Sequence, residues 1–189
     1  MESWDTYDSE LVPTMTTIVF GAWNAPFVFY AACKSSGEVY AIEPDGVAVA
    51  ALQRALRTNA GLERVHVFHG AIGETNALVS VDAVNPTPTS VSNELRVQVR
   101  LDGFVRRRLI RGPLFLKIDC EGRETALLPA LRSLVKTWRD SGERLVLYLR
   151  TYPESMAASE QSEIRMFLDW VGEYSVVGHK SDRYVIRPT

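Results

Sequence analysis

The chain has 189 residues, 46% of them hydrophobic and 23% charged, with a formal net charge of −2. That length supports one domain with a substantial core and falls short of two. The near-neutral balance excludes a global field that would draw the chain to nucleic acid or membrane, leaving only local patches to do so, and no apolar run reaches the ~18 residues of a membrane span.

The acidic first ten residues speak against a signal or transit peptide, so the expectation is an intracellular, cytoplasmic protein without a targeting signal. Cys33 and Cys120 lie far apart and form no CxxC pair. Two free thiols in a reducing compartment is the plain reading, with a single disulfide left open. His66 and His69 share a strand-like run at an odd spacing, which puts them on opposite faces, and no metal cluster is expected.

In chain order, residues 1–16 read as an N-terminal arm that Trp4 and Tyr7 could dock. The β-branched run 16–20 is a first strand. Gly21-Ala-Trp-Asn-Ala25 makes a turn, with Asn24 as N-cap and Pro26 in the first turn of an apolar helix. Residues 38–42 form a second buried strand ending on Glu43, stopped by Pro44 and followed by a helix over residues 46–60. An acid at the tip of the second strand of an α/β unit is placed to meet the ribose hydroxyls of an adenosine; the alternative is a carboxylate facing water. Residues 65–69 form a third strand before Gly70-Ala-Ile-Gly73. Three strands alternating with two helices mark a parallel, doubly wound sheet.

Residues 74–112 change character and read as an edge ribbon or insertion. Strands are expected over 77–81 and 95–101, with the second alternating strictly between apolar residues and Arg96, Gln98 and Arg100. Residues 114–119 are the next buried strand, and Pro129 restarts the helix after it. A strand at 144–150, an amphipathic helix at 160–173 and an antiparallel hairpin at 174–177 and 183–186 complete a domain spanning 17–189.

The run Val39-Tyr-Ala-Ile-Glu-Pro-Asp45, the pair Arg100-Leu-Asp102 and the run Leu116-Lys-Ile-Asp-Cys-Glu-Gly-Arg-Glu124 resemble, in order and spacing, the FkbM family of S-adenosylmethionine-dependent methyltransferases. The similarity covers residues 17–150. It implies a Rossmann-like class I methyltransferase fold: a mostly parallel seven-stranded sheet, helices on both faces and an antiparallel C-terminal hairpin. It also implies S-adenosylmethionine as cofactor and a small-molecule or sugar oxygen as methyl acceptor.

Carried onto this sequence, the resemblance makes Glu43 the ribose ligand, with Pro44 beside it. Gly21, Ala22, Trp23 and Asn24 form the loop at the methionine end of the cofactor, and Ala71 lies beside the adenine. Asp119 and Glu121, at the end of the fourth strand, are the candidate catalytic pair; either could take or orient the acceptor's proton. Asp119 could instead serve only as a helix N-cap. Lys117 either points to the cleft or runs along the sheet end. Glu124 reads as a first-turn helix charge, and Cys120 as a small buried hydrophobe.

Three positions depart from the family pattern. Val19 stands where the first strand normally ends in an acid. In the loop, either Trp23 holds the tight central position or an inserted residue passes it to Asn24. The strand ending Leu147-Tyr-Leu-Arg150 lacks its usual acid. A second reading therefore stays open: a catalytically degenerate fold serving as a structural or binding subunit among protein partners. Arg96, Arg100, Arg106, Arg107, Arg108 and Arg111 form either a solvated face or a contact for an anionic partner.

Overall fold

The computed structural model describes residues 4–23, 26–81, 94–120, 124–177 and 183–188. Its centre is a seven-stranded sheet in the order β3-β2-β1-β7-β8-β10-β9. Strands β1 (Thr16–Phe20), β2 (Val39–Glu43), β3 (Val65–His69), β7 (Leu114–Ile118) and β8 (Leu145–Arg150) run parallel, and β9 (Tyr174–Val176) and β10 (Arg183–Ile186) close one edge antiparallel. The four central strands are apolar almost throughout because helices cover both faces, so neither set of alternating side chains reaches water.

One face carries α1 (Trp4–Glu10), α2 (Pro26–Lys34) and α3 (Gly46–Thr58), packed on Val19, Ala41, Phe115 and Tyr148. The other carries α4 (Leu101–Arg107), α5 (Leu128–Ser141) and α6 (Ala158–Val171), packed on Ile18, Phe20, Ile42 and Leu116. Local chemistry sets the helix ends. Asp45 Oδ1 accepts from the Ala48 N–H at 2.7 Å and caps α3. Pro129 sits in the first turn of α5, and Gly142 ends it with φ +68°.

Three features differ from the sequence reading. Within the expected arm, α1 is part of the core: Tyr7 is fully buried against Phe27, Phe115 and Tyr148. Its aromatic packing outweighs the polar composition that suggested an appendage. The ribbon is a separate three-stranded sheet, β4-β6-β5, in which β4 (Ala71–Gly73), a stretch unassigned from the sequence, pairs parallel with β6 (Glu94–Arg100), and β5 (Ala77–Val81) pairs antiparallel. The strand expected to run to Leu101 stops at Arg100, and α4 begins there. Leu101, Phe104 and Val105 recur at helical spacing and bury together, but Leu101 also continues the alternation of β6 and hid the boundary.

Candidate functional site

The parallel strands β1 and β7 are neighbours, yet the chain leaves them in opposite directions, to α2 on one face and α5 on the other. This is a topological switch point, where open α/β sheets form a crevice outside the carboxyl ends of their strands. Gly21 lies on its floor with φ +74°, and a Cβ there would come within 2.0 Å of the Asp119 carbonyl oxygen. Only glycine permits that approach. The Gly21 and Ala22 N–H groups both donate to the Ile42 carbonyl, at 3.1 and 3.3 Å, and fasten the turn to β2.

Trp23 holds the next position with φ +45°, a left-handed conformation that costs an L-residue about 1–2 kcal/mol. Trp23 is 48% exposed, so it is not a buried plug. The strained backbone aims the Trp23 N–H at Glu43 Oε2, 2.8 Å away. Glu43 itself is only 4% exposed, and its Oε1 accepts from the Asp45 N–H at 2.9 Å. The Glu43-Pro44-Asp45 turn thus orients the carboxylate and caps α3 at once.

The satellite sheet walls the same corner. Arg96 Nε donates to the Pro44 carbonyl at 2.9 Å, and the Gly70 N–H donates to the Glu43 carbonyl at 3.0 Å. Ala71 follows directly and enters β4, placing it beside the Glu43 strand end. A Cβ on Gly70 would meet the Val97 carbonyl at 2.5 Å, so the two sheets pass closely here.

Across the switch point, Asp119 belongs to a charged network. Its Oδ2 accepts from Lys117 Nζ at 2.8 Å and lies 3.6 Å from an Arg150 nitrogen, while its Oδ1 accepts from the Tyr152 hydroxyl at 2.6 Å. Burial pushes the Asp119 carboxyl up, but Lys117, Tyr152 and Arg150 more than offset it and hold it below the ordinary value. Lys117 is 4% exposed, over the Phe27 and Tyr148 rings, and its Cα partner across the strands is Val19. The position without its expected acid therefore adjoins a lysine that takes its counter-charge from Asp119. Burial first, then the carboxylates of Glu124, Asp119 and Glu43, pushes the Cys120 thiol up.

Of the residues expected from the sequence, Gly21, Ala22, Trp23, Glu43, Pro44, Ala71 and Asp119 gather along the carboxyl edge of β1, β2, β3 and β7. Asn24 and Glu121 lie outside the described residues. Glu124, expected as a first-turn helix charge, directly precedes the short helical turn Thr125–Leu127 and is fully buried. Arg150 and Tyr152 were missed; their signal was their place at the end of the strand beside β7. The arginines separate: Arg96 holds Pro44, Arg100 forms a bidentate pair with Asp102 at 2.9 Å for both bonds, and Arg106, Arg107, Arg108 and Arg111 cluster elsewhere. A second concavity of about 370 Å³, lined by Glu74, Thr125, Arg132, Glu163 and Met166 among others, shares no residue with this crevice.

A family model for the methyltransferase FkbM domain matches residues 20–176. No curated protein gives a significant match. Among solved structures, methyltransferase FkbM from Methylobacillus flagellatus KT superposes with a TM-score of 0.60 at 19% identity, over 92% of this chain and 43% of its own. This chain thus spans less than half the length of that relative. An rRNA methylase from Streptococcus thermophilus gives 0.56 at 11% identity, covering 97% of this chain and 90% of its own. Fibrillarin from Aeropyrum pernix, crystallised with S-adenosyl-L-methionine, gives 0.54 at 13% identity over 95% and 68%. These likenesses show the class I methyltransferase fold.

Proposed function

The chain belongs to the FkbM methyltransferase family, and we propose that it binds S-adenosylmethionine and transfers the methyl group to an oxygen of a small molecule or sugar. The observation that carries this reading is the Glu43 carboxylate, buried at the tip of β2 and oriented by the Trp23 and Asp45 N–H groups. Oε2 accepts from the Trp23 N–H and Oε1 from the Asp45 N–H, so both oxygens are held at the strand tip, where a carboxylate forms charge-assisted bonds to ribose hydroxyls. The Gly21 turn fits the same ligand, since its bare Cα leaves the backbone open to close approach. Ala71, a small residue beside the strand end, is the position we assign to the adenine.

When bound, S-adenosylmethionine supplies a methyl group already activated on a sulfonium. The protein then has to hold the acceptor oxygen in line with that methyl and exclude water. Asp119 suits orientation better than proton abstraction, because a carboxylate paired with Lys117 and Arg150 is a weak base. We assign it to fixing Tyr152 and Arg150 at the crevice, where those groups can hydrogen-bond the acceptor. Glu121 remains the second candidate for receiving the acceptor's proton.

One observation favours the alternative of a degenerate fold acting as a binding subunit. Val19 is apolar and 1% exposed, so no carboxylate at that position meets the cofactor's ammonium. Calorimetric titration with S-adenosylmethionine and S-adenosylhomocysteine separates the readings. Micromolar binding that Glu43→Ala abolishes supports the enzyme; a folded protein that binds neither compound supports the subunit.

A further inference from the structure

Residues 106–111, Arg-Arg-Arg-Leu-Ile-Arg, end α4 and lead to β7. They lie at the edge where the parallel strands begin, opposite the crevice. The helix closes with paired hydrogen bonds: the Ile110 N–H donates to the Val105 carbonyl and the Leu109 N–H to the Arg106 carbonyl, both at 3.1 Å. This cap puts Leu109 in the left-handed position, φ +53°, where glycine is the usual residue. Ile110 anchors the turn inward at 8% exposure, while Leu109 projects outward at 73%.

Around that leucine, Arg106, Arg107, Arg108 and Arg111 are all exposed. Among the described residues no carboxylate lies within ion-pair distance of any of them, and Arg108 instead stacks over the Tyr40 and Phe104 rings. The negative end of the helix favours one or two basic residues in its last turn. It does not explain an apolar side chain raised at the tip, 73% exposed and in a strained conformation.

We infer that this turn docks the protein on an anionic lipid surface, Leu109 entering the acyl boundary while the arginines meet headgroup phosphates and carboxylates. Basic residues near an anionic leaflet and an apolar side chain at the interface both add to reversible membrane attachment. Arginine suits the role because its stem can lie in the interface while the guanidinium reaches the headgroups. A nucleic-acid backbone would satisfy the arginines but give Leu109 no partner, and among the described residues no exposed aromatic side chain stands at the tip to stack a base. Docking by this edge leaves the Glu43 crevice open on the opposite one. The inference is independent of the methyl-transfer reading.

The test is flotation of the full chain with vesicles of phosphatidylcholine alone and of phosphatidylcholine with one-third phosphatidylserine, at low and high salt. Selective binding to the anionic vesicles, weakened by salt, is expected. Leu109→Gly should weaken that binding about tenfold through the lost apolar contact while leaving the thermal midpoint unchanged or raised, since the cap prefers glycine. Arg107→Glu with Arg111→Glu should abolish it. Failure to bind anionic vesicles, equal binding to neutral ones, or unchanged binding by Leu109→Gly would overturn the inference. So would tighter binding to polyuridylate than to vesicles, with Leu109→Gly without effect on it.

Discussion

The backbone N–H of Trp23 lies 2.8 Å from Glu43 Oε2, joining the turn after β1 to the carboxylate that ends β2. Twenty residues separate the two in sequence, and the parallel pairing of β1 with β2 brings them together. The bond fixes the carboxylate beside the switch point, and its geometry requires the positive φ at Trp23.

Glu43→Gln should weaken S-adenosylhomocysteine binding roughly 10- to 100-fold, the range for losing charge-assisted hydrogen bonds. The amide also turns a donor toward Trp23 or Asp45 N–H, so the thermal midpoint should fall. Calorimetry and a melting curve on one preparation read both effects. Unaltered affinity would remove Glu43 from the ribose site.

Trp23→Gly relieves the left-handed strain but adds backbone freedom to the unfolded chain. With the indole half exposed, the two should nearly cancel, leaving stability within about 1 kcal/mol of the parent. Trp23→Val, β-branched at the same φ, should cost about 1–2 kcal/mol. Urea midpoints compare the three proteins. Equal losses for glycine and valine would mean that the indole, and not the backbone, matters to folding.

Gly21→Ala places a methyl 2.0 Å from the Asp119 carbonyl at φ +74°. The overlap forces β1 and β7 apart at their carboxyl ends, at a cost of roughly 2–4 kcal/mol from overpacking and strain together. Cofactor affinity should fall with stability. A variant as stable as the parent would show that the turn can open without cost.

The lowered Asp119 value has a defined sign. A carboxylate depressed below its ordinary 3.8 stabilises the fold above that pH and loses the contribution as pH falls through the folded value. Asp119→Asn should therefore flatten the dependence of the urea midpoint on pH below about 3.8, within the ordinary carboxylate range. Tyr152→Phe removes the 2.6 Å bond and should shift the wild-type acid limb to higher pH. An acid limb identical in all three proteins would show that other carboxylates govern it.

Glu10, 6% exposed at the end of α1, receives Arg144 from the start of β8 and Arg187 from beyond β10, each at 3.0 Å. It ties the two ends of the described chain together. Glu10→Ala should cost about 1–3 kcal/mol, with partial solvent exposure of both arginines keeping it from the upper range for buried ion pairs. Amide exchange in α1 should rise with it. Protection unchanged in α1 would assign its docking to Tyr7 alone.

Much of this was legible in the amino-acid order. The apolar runs 39–43 and 114–118, with an acid at or just beyond their ends, declared buried parallel strands, and their spacing from the Glu43-Pro44-Asp45 turn declared the family. Arg96 was visible as an alternating basic residue, but nothing local revealed that it would reach the Pro44 carbonyl 52 residues away. The apolar alternation of β6 ran unbroken into Leu101, so α4 was hidden at its first residue.

The sequence alone determined which strands are buried and where carboxylates meet their ends, because periodicity and turn residues are local properties of the chain. Whether the two arms of the crevice touch was decided only by the tertiary structure. The close pass of Gly21 over Asp119, the Trp23 bond to Glu43 and the bond from Tyr152 to Asp119 all depend on strand order. Strand order arises from packing distant segments, and no window of neighbouring residues encodes it.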